Sequence, residues 1–351
     1  MDRYLAQGYI PVTFTMQNKS IDHGSRTPKY QQIVDAILTG ISSNQWNHGD
    51  QIPSVNETSE HYGIARMTVV KAYDELRRRG IIEAHQGKGY YIAATDVKTG
   101  YNILLLFDEL SSYKEIMYNG FKETLPPNAR VSIFFHHYDR NTFDNLLTAN
   151  LGRFTHYVVV AHVSTDISAS LEKIPPHQLT LLDKDVPTLK YPVACVHQDF
   201  ENDIQEGLRQ GLDLLKKYRR LNMLCPQAPL TYMPDGRNNG FIRFCENHKM
   251  PYRILTGFDS AVVFRDEAYI LFDERELVKF IKYCREKDWQ LGKDIGLVSY
   301  DDTPYKEIID KGITVISTDF RQMGITGARM LLDKVVDNIH NPCQLIIRGS
   351  L

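Results

Sequence analysis

Cysteine is scarce in this 351-residue sequence. The five cysteines are odd in number, none lies in a CxxC pair, and the first is Cys195. Such spacing builds neither a disulfide framework nor a paired zinc site, and it is typical of proteins from a reducing compartment. We therefore expect a cytoplasmic protein.

Long apolar segments and a strong net charge are absent as well. The longest run of aliphatic and aromatic residues, such as 103–107, has five residues. A membrane-spanning helix needs about 20 apolar residues. No charged and then apolar leader opens the sequence, so neither export nor membrane insertion is expected. Lys and Arg number 41 against 43 Asp and Glu. Any contact with a polyanion must therefore be local.

The composition is that of a globular protein, with 42% hydrophobic and 24% charged residues. At about 100 to 200 residues per domain, the length predicts two or three folded units. Residues 1–24 show no clear periodicity and are predicted to be an N-terminal extension. The patterns that follow predict a small domain over 25–94, a polar linker over 95–100 and a large domain over 101–351.

The small domain carries signals for three helices. Thr27 suits an N-cap and Pro28 the first helical position, and this helix is expected to end at Gly40. Residues 54–57, Ser-Val-Asn-Glu, have the spacing of a capping box and predict the start of a second helix. A third helix is predicted over about 65–79.

The third helix and the segment after it complete the pattern of a winged helix-turn-helix. Apolar residues recur at helical spacing and predict a buried stripe, formed by Val69, Ala72, Tyr73 and Leu76. Thr68, Lys71 and Arg78 then face outward. A glycine-containing turn at 86–89 joins two short β-prone segments and predicts a hairpin, the wing.

Positive charge is concentrated in this region. Residues 66–89 contain six basic and three acidic residues, a local charge of +3. Basic side chains neutralise phosphates, while outward polar side chains on the third helix reach base edges in the major groove. Lys88 on the wing would enter the minor groove or hold phosphate. Arg77 to Arg79 have an alternative interpretation as a solvated helix end favoured by the macrodipole.

The small domain resembles the GntR family of bacterial repressors. The shared motifs, in order, are 28–33, 49–54, 65–69, 73–76 and 86–90. Asn56 and Val70 stand where many members have arginine, and Lys71 is a candidate substitute contact. The resemblance implies DNA contacts by Ser54, Arg66, Thr68, Gln86, Gly87 and Lys88. We add Asn56 and Lys71 to this set of predicted DNA contacts.

In the large domain, apolar runs alternate with helical stretches, which predicts parallel sheets with helical crossovers. The predicted strands are 103–107, 131–135, 157–161, 179–182, 193–196, 221–225, 269–272, 295–299 and 313–316. So many strands exceed one ordinary sheet. We therefore predict an α/β architecture of two doubly wound subdomains.

Four aspartates follow separate predicted strands: Asp108, Asp183, Asp273 and Asp301. In open α/β sheets, ligands bind beyond the carboxyl ends of the strands, and Arg237, in a loop before a helix near Asn239, would converge on the same cleft. Carboxylates accept hydrogen bonds from hydroxyl groups, guanidinium donates them, and aromatic rings cover apolar sugar faces. This set suits a neutral polyol. A single aspartate of this kind is more often a helix N-cap or a solvated loop residue, but the occurrence of four at equivalent strand ends favours a binding site.

The large domain resembles LacI/GalR repressors and periplasmic sugar-binding proteins, through residues 235–241, 294–302 and 313–320 and Met323-Gly324. The resemblance implies ligand contacts by Arg237, Asp301, Asp183 and Asp273, with Thr318 and Phe320 on the hinge-side wall. Asp273 replaces the usual asparagine. Asp108 and Tyr113 complete the predicted ligand set.

The same resemblance implies how the large domain is divided. The chain would pass between subdomains near residues 196, 318 and 341. Subdomain 1 would comprise about 101–196 and 319–340, and subdomain 2 about 197–317 and 342–351.

A GntR-type head on a LacI-type body implies a repressor of carbohydrate-utilisation genes. The expected partners are double-stranded operator DNA, a second copy of the chain in a homodimer that reads two half-sites, and a small sugar effector. The predicted cleft is acid-rich, which favours an unphosphorylated sugar. L-arabinose and L-fucose are candidates by resemblance alone.

An enzyme is the main alternative class. There is no HExxH, GxSxG or P-loop pattern, and the clusters His136-His137 and His197-Gln198-Asp199 are interpreted as strand-end residues. We predict no catalytic residue, metal site or cofactor. Two alternatives stay open: a GntR-type regulator that responds to a non-sugar small molecule, and a non-regulatory ligand-binding or enzymatic α/β body fused to a DNA-binding head.

Overall fold

A computed structural model gives the structure of residues 21–22, 28–43, 45–94, 101–226 and 235–351. The chain divides into two compact units, Met1–Gly100 and Tyr101–Leu351. We call them the head and the body and describe each by itself. No helix in the described ranges is long and apolar enough to cross a membrane.

In its described residues, the head contains three helices and a three-stranded antiparallel sheet of strand order β1-β3-β2. In chain order its elements are α1 Lys29–Ser42, β1 Gln51–Ile52, α2 Val55–Tyr62, α3 Arg66–Arg78, β2 Ile82–His85 and β3 Gly89–Ile92. The predicted winged helix-turn-helix is confirmed, with β1 as an additional short strand.

The predicted start and end of α1 need correction. Thr27 lies outside the described residues, and Pro28 occupies the N-cap rather than the first helical position, because its ψ of 136° is extended. The helix also continues past Gly40 to Ser42. Gly40 is required by packing rather than by termination, since a Cβ there would lie 2.9 Å from the Trp46 ring.

The predicted apolar stripe of α3 forms the centre of the head's core. All four of its residues are fully buried. The Tyr73 hydroxyl donates a 2.7 Å hydrogen bond to the Pro53 carbonyl oxygen and lies 2.8 Å from Thr58 Oγ1. The buried phenol is therefore satisfied, and it ties α3 to the start of α2.

The body begins with alternating strands and helices. They are β4 Asn102–Phe107, α4 Ser112–Thr124, β5 Arg130–Phe135, α5 Arg140–Asn150, β6 His156–Val160, α6 Ser168–Leu171, β7 Leu179–Asp183 and β8 Ala194–His197. A 3₁₀ turn, Pro176–Gln178, precedes β7.

The second half of the body repeats this alternation. Its elements are α7 Phe200–Gln210, α8 Leu212–Leu215, β9 Leu221–Cys225, α9 Asp235–Asn247, β10 Tyr252–Thr256, β11 Ala268–Leu271, α10 Glu274–Glu286, β12 Gly296–Tyr300, α11 Pro304–Ile308 and β13 Thr314–Thr318. The chain ends with α12 Phe320–Asp333, β14 Asn338–His340 and β15 Cys343–Ile346.

Two six-stranded sheets organise the body, which confirms the predicted α/β class. The strand order is β5-β4-β6-β7-β8-β14 in the first sheet and β10-β9-β11-β12-β13-β15 in the second. All pairings are parallel except β13 with β15. In both sheets, the direction in which successive strands are added reverses beside the strand that comes first in the chain. This point lies between β4 and β6 in the first sheet and between β9 and β11 in the second. Ligands of such folds bind beyond the strand ends at this point.

The chain passes between the two sheets at three places: after β8, between β13 and α12, and between β14 and β15. Asn341 connects all three. Its backbone N–H donates to the His197 carbonyl oxygen at 2.8 Å, and its Nδ2 donates to Thr318 Oγ1 at 2.6 Å and to the Asp319 carbonyl oxygen at 3.0 Å. The crossovers therefore form one hydrogen-bonded unit, which we call the hinge.

Candidate functional sites

The predicted DNA-contacting residues of the head lie on α2, α3 and the wing. Most of their side chains are exposed, namely those of Asn56, Arg66, Lys71, Gln86 and Lys88, while Ser54 and Thr68 are partly buried. The capping box is confirmed, because Ser54 Oγ accepts from the Glu57 N–H at 3.2 Å and Glu57 Oε2 accepts from the Ser54 N–H at 2.7 Å. Ser54 thus fixes the start of α2 and keeps its hydroxyl proton available for donation.

The basic residues of α3 fall into two groups. Arg77 pairs with Asp74, and both Arg78 and Arg79 pair with Glu75. These local pairs favour the alternative interpretation of the three arginines as a solvated helix end. Arg66, Lys71 and Lys88 form no ion pair within the described residues, so their positive charges are available to contact DNA phosphates. Lys71 Nζ also lies 4.1 Å from the Tyr30 ring centroid.

The backbone of the wing is held in place while its side chains stay exposed. Gly87 and Gly89 have φ values of 72° and 105°, a region that favours glycine. The Lys88 carbonyl oxygen accepts hydrogen bonds from Gln51 Nε2 at 2.8 Å and from the Tyr91 hydroxyl at 3.2 Å. The wing therefore presents the Lys88 side chain from a defined position.

A cleft of about 650 Å³ lies in the body. Of the predicted ligand residues, Tyr113, Arg237, Asp273 and Asp301 line it. Leu110 and Tyr138 contribute from the first sheet's side, and Phe272 and Arg275 from the second.

Asp108 and Asp183, which are predicted to contact the ligand, belong to a buried ion-pair network with Lys114. Lys114 Nζ lies 2.5 Å from Asp183 Oδ2 and 3.4 Å from Asp108 Oδ2, and all three side chains are at most 1% exposed. His162 Nδ1 lies 2.7 Å from the Asp108 carboxylate, and Gln198 Nε2 donates to Asp183. Neither aspartate is among the described residues that line the cleft.

Electrostatics explains why these two acids remain charged. Burial alone would raise the pKa of Asp108 and Asp183, but the ammonium of Lys114, together with His162, outweighs burial and lowers the pKa of both carboxyl groups. The two carboxylates share one ammonium, and both accept further hydrogen bonds or ion pairs from within the protein, which makes the network a structural unit.

Asp301 differs from these two acids, although it lies at the strand end that corresponds to Asp183. Asp183 ends β7 and Asp301 follows β12, the fourth strand of each half, and their φ values are 73° and 59°. Asp301 Oδ1 is buried without a hydrogen-bond partner in the described residues. Burial raises the pKa of Asp301, and the positive charges of Arg237 and Lys306 lower it only in part, so that the pKa is about 6. Asp301 is therefore an unsatisfied acceptor beside the cleft.

Arg237 is the corresponding unsatisfied donor. It lies in the first turn of α9, not in a loop as predicted, because α9 begins at Asp235. Its guanidinium carbon is 4.2, 5.0 and 5.5 Å from the ring centroids of Tyr300, Phe200 and Phe272. The rings restrict the guanidinium, yet Arg237 Nε is buried without a hydrogen-bond partner among the described residues.

Comparisons with known protein families give a match for the head and a match for the body. Residues 29–92 match the model of the bacterial regulatory proteins, gntR family, and residues 214–351 match that of the periplasmic binding protein-like domain. The chain carries a GntR-type head and a periplasmic-binding-protein-like body.

Proteins that resemble the whole chain or its body extend this result. The chain is 23% identical to the arabinose metabolism transcriptional repressor of Geobacillus stearothermophilus, over 92% of this chain and 97% of that protein. The glucose-bound LacI family regulator of Lactobacillus casei superimposes with a TM-score of 0.59 at 14% identity, over 71% of this chain and 99% of that one. The lac repressor dimer bound to operator and an anti-inducer has a TM-score of 0.58 at 17% identity, over 72% and 94%. The body therefore has the LacI-type fold.

The remaining predicted residues of the body have mainly structural partners. Asp273 caps α10 by accepting from the N–H groups of Arg275 and Glu276 at 2.8 and 3.1 Å, as its alternative interpretation proposed, although it also lines the cleft. Thr318 Oγ1 is engaged in the hinge. It and Phe320 line a separate hollow of about 300 Å³ rather than the cleft.

Sequence reasoning missed Lys114, His162 and Phe272. An apolar run followed by a charged residue identifies the aspartates at the strand ends. It does not identify the lysine on α4 that pairs with them. Among the described residues, no group of three or more His, Cys, Asp or Glu side chains is placed to hold a metal ion, and all five cysteines are free.

Proposed function

We propose that this GntR/LacI-type protein represses carbohydrate-utilisation genes and that a neutral sugar in the body's cleft controls its binding to operator DNA. The observation that carries the proposal is that a buried donor, Arg237 Nε, and a buried acceptor, Asp301 Oδ1, both lack hydrogen-bond partners among the described residues at one cleft. A buried polar atom without a partner is unfavourable by about 1 to 3 kcal/mol. A ligand with adjacent hydroxyl groups would relieve both, since each hydroxyl donates and accepts.

The charge of the cleft favours a neutral ligand. Five acids line it, against two arginines: Glu109, Glu115, Asp273, Glu274 and Asp301 against Arg237 and Arg275. Arg275 is already paired with Asp273. A phosphate would meet this excess of carboxylates and would be repelled. Phe272 and Tyr113 offer flat apolar surfaces for a sugar ring.

DNA control would arise from the hinge. A ligand changes DNA affinity only if it binds one arrangement of the two halves more tightly than another, a difference typically worth about 1 to 3 kcal/mol. A homodimer that places two heads on two half-sites would convert such a rearrangement into altered operator affinity. The dimeric state of the lac repressor bound to its operator supports this arrangement.

The relative from Geobacillus stearothermophilus makes L-arabinose the first sugar to test, with L-fucose second. A regulator is favoured over an enzyme because this relative, which matches nearly the whole chain, is a transcriptional repressor.

A thermal-shift screen tests the sugar site. Pentoses, hexoses, deoxyhexoses and their phosphates would be added to native protein, to Arg237→Ala and to Arg285→Ala, a matched loss of an arginine that pairs with Asp310 elsewhere on the body. One unphosphorylated sugar should stabilise the native and Arg285→Ala proteins but not Arg237→Ala. Equal stabilisation of all three would disprove the site, and stabilisation by phosphosugars alone would disprove the ligand class.

A further inference from the structure

Met67 is an exposed apolar side chain within the candidate DNA interface. It is 74% exposed, and it is the single exposed large hydrophobic residue in the described part of the head. It is the second residue of α3 and stands between Arg66 and Thr68. Folding does not account for a methionine here, because a side chain this exposed gains little from burial.

Helix geometry places Met67 on the outward side of α3. At 3.6 residues per turn it lies opposite the buried stripe centred on Val69 and Tyr73, and one turn before Lys71. Lys71, Asp74 and Arg78 continue the same exposed side. The first turn of a recognition helix is the part that meets base edges in the major groove.

We infer that Met67 contacts the methyl group of a thymine in the operator and thereby selects the base at that position. The C5 methyl of thymine is the apolar group that base edges present in the major groove. A methionine is long, flexible and polarisable, so it can cover such a methyl group while Arg66 and Thr68 engage polar or phosphate groups. This inference rests on the proposed binding of operator DNA.

The test uses DNA that the full-length protein itself selects from a pool of random duplexes. Each thymine of the selected site is replaced in turn by deoxyuridine, which lacks only the methyl group, and affinity is measured by fluorescence anisotropy. At one thymine per half-site, native protein should lose roughly fourfold in affinity per methyl group, the equivalent of about 0.8 kcal/mol for one buried carbon. Met67→Ala should bind the thymine and deoxyuridine duplexes equally.

Two further variants test whether the preference for thymine depends on the apolar side chain at position 67. Met67→Leu preserves an apolar side chain and should retain the preference for thymine, whereas Lys88→Ala should weaken binding to both duplexes by the same factor. The inference is overturned if native protein tolerates every deoxyuridine, or if Met67→Ala keeps the native preference. A selection that enriches no sequence would instead refute operator binding itself, and the inference with it.

Discussion

Lys114 Nζ lies between two buried carboxylates, 2.5 Å from Asp183 Oδ2 and 3.4 Å from Asp108 Oδ2. The lysine comes from α4, whereas the acids come from the ends of β4 and β7, so one side chain joins three elements of the first sheet's layer. The first half of the body is therefore held together by charge as well as by apolar packing.

Replacing this lysine should destabilise the body severely. Lys114→Met leaves two buried carboxylates without their cation, and removing one partner of a buried pair typically costs about 3 to 5 kcal/mol. Urea denaturation at neutral pH measures the loss. Arg321→Met, which removes an exposed arginine paired with Glu123, should cost less than about 1 kcal/mol. Similar losses in both variants would contradict the structural role of Lys114.

The network also predicts acid sensitivity. The folded protein lowers the pKa of Asp108 and Asp183, so their stabilising contribution is present above the ordinary carboxyl range near pH 4 and is lost as the pH falls below it. The free energy of unfolding of native protein should decline through this range. The decline should be smaller in Lys114→Met, and an identical pH profile in the two proteins would contradict the pairing.

Strand-end aspartates were predictable from sequence, whereas their different roles were not. Asp183 and Asp301 both follow buried apolar runs, and the fold places them at corresponding positions. The three-dimensional contacts with Gln198 and with Lys114, 69 residues away in the chain, distinguish Asp183 from Asp301, whose Oδ1 has no hydrogen-bond partner among the described residues. Periodicity along one segment carries no information about such a contact.

Three of the four edge strands of the body's two sheets were missed for a related reason, whereas the fourth, β5, was predicted as 131–135. β10, β14 and β15 lie at or near sheet edges and have mixed or partly exposed residues, so they lack the continuous apolar run that revealed the central strands. The winged helix was predicted almost completely, because caps, glycines and helical spacing are local signals.

Asp301 should make effector binding depend on pH. Burial raises its pKa to about 6, and a sugar hydroxyl that donates to the carboxylate favours the ionised form. Affinity for the sugar identified in the thermal-shift screen should therefore fall as the pH drops below 6. Asp301→Asn should bind more weakly and lose most of this dependence. Isothermal titration calorimetry between pH 5 and 8, a range chosen to span that pKa, provides the measurement.

Asp203 is the matched control for that experiment. Burial raises its pKa to about 6 as well, but it pairs with His340 rather than facing the cleft. Asp203→Asn should keep the pH dependence of sugar binding. If this variant loses the dependence and Asp301→Asn keeps it, the titrating group has been wrongly assigned.

The hinge should transmit the effector's influence through Asn341. Asn341→Asp keeps the side chain's shape but cannot donate to Thr318 Oγ1 or the Asp319 carbonyl oxygen. The ratio of DNA affinities without and with sugar should shrink towards one. Asn338→Asp, on the exposed edge of β14, should leave the ratio unchanged. An unaltered ratio in Asn341→Asp would show that these hydrogen bonds do not carry the coupling.

Lys88 should contribute affinity rather than sequence preference. Its carbonyl oxygen is fixed by Gln51 and Tyr91, and its exposed ammonium forms no ion pair within the described residues. If it neutralises one phosphate, Lys88→Ala should reduce the slope of log affinity against log salt by about 0.9 and weaken selected and unrelated duplexes alike. Lys190→Ala, which removes an exposed lysine of the body, should preserve the slope. A variant that bound unrelated DNA normally but lost only the selected site would place Lys88 at a base edge, because a phosphate contact cannot discriminate between sequences.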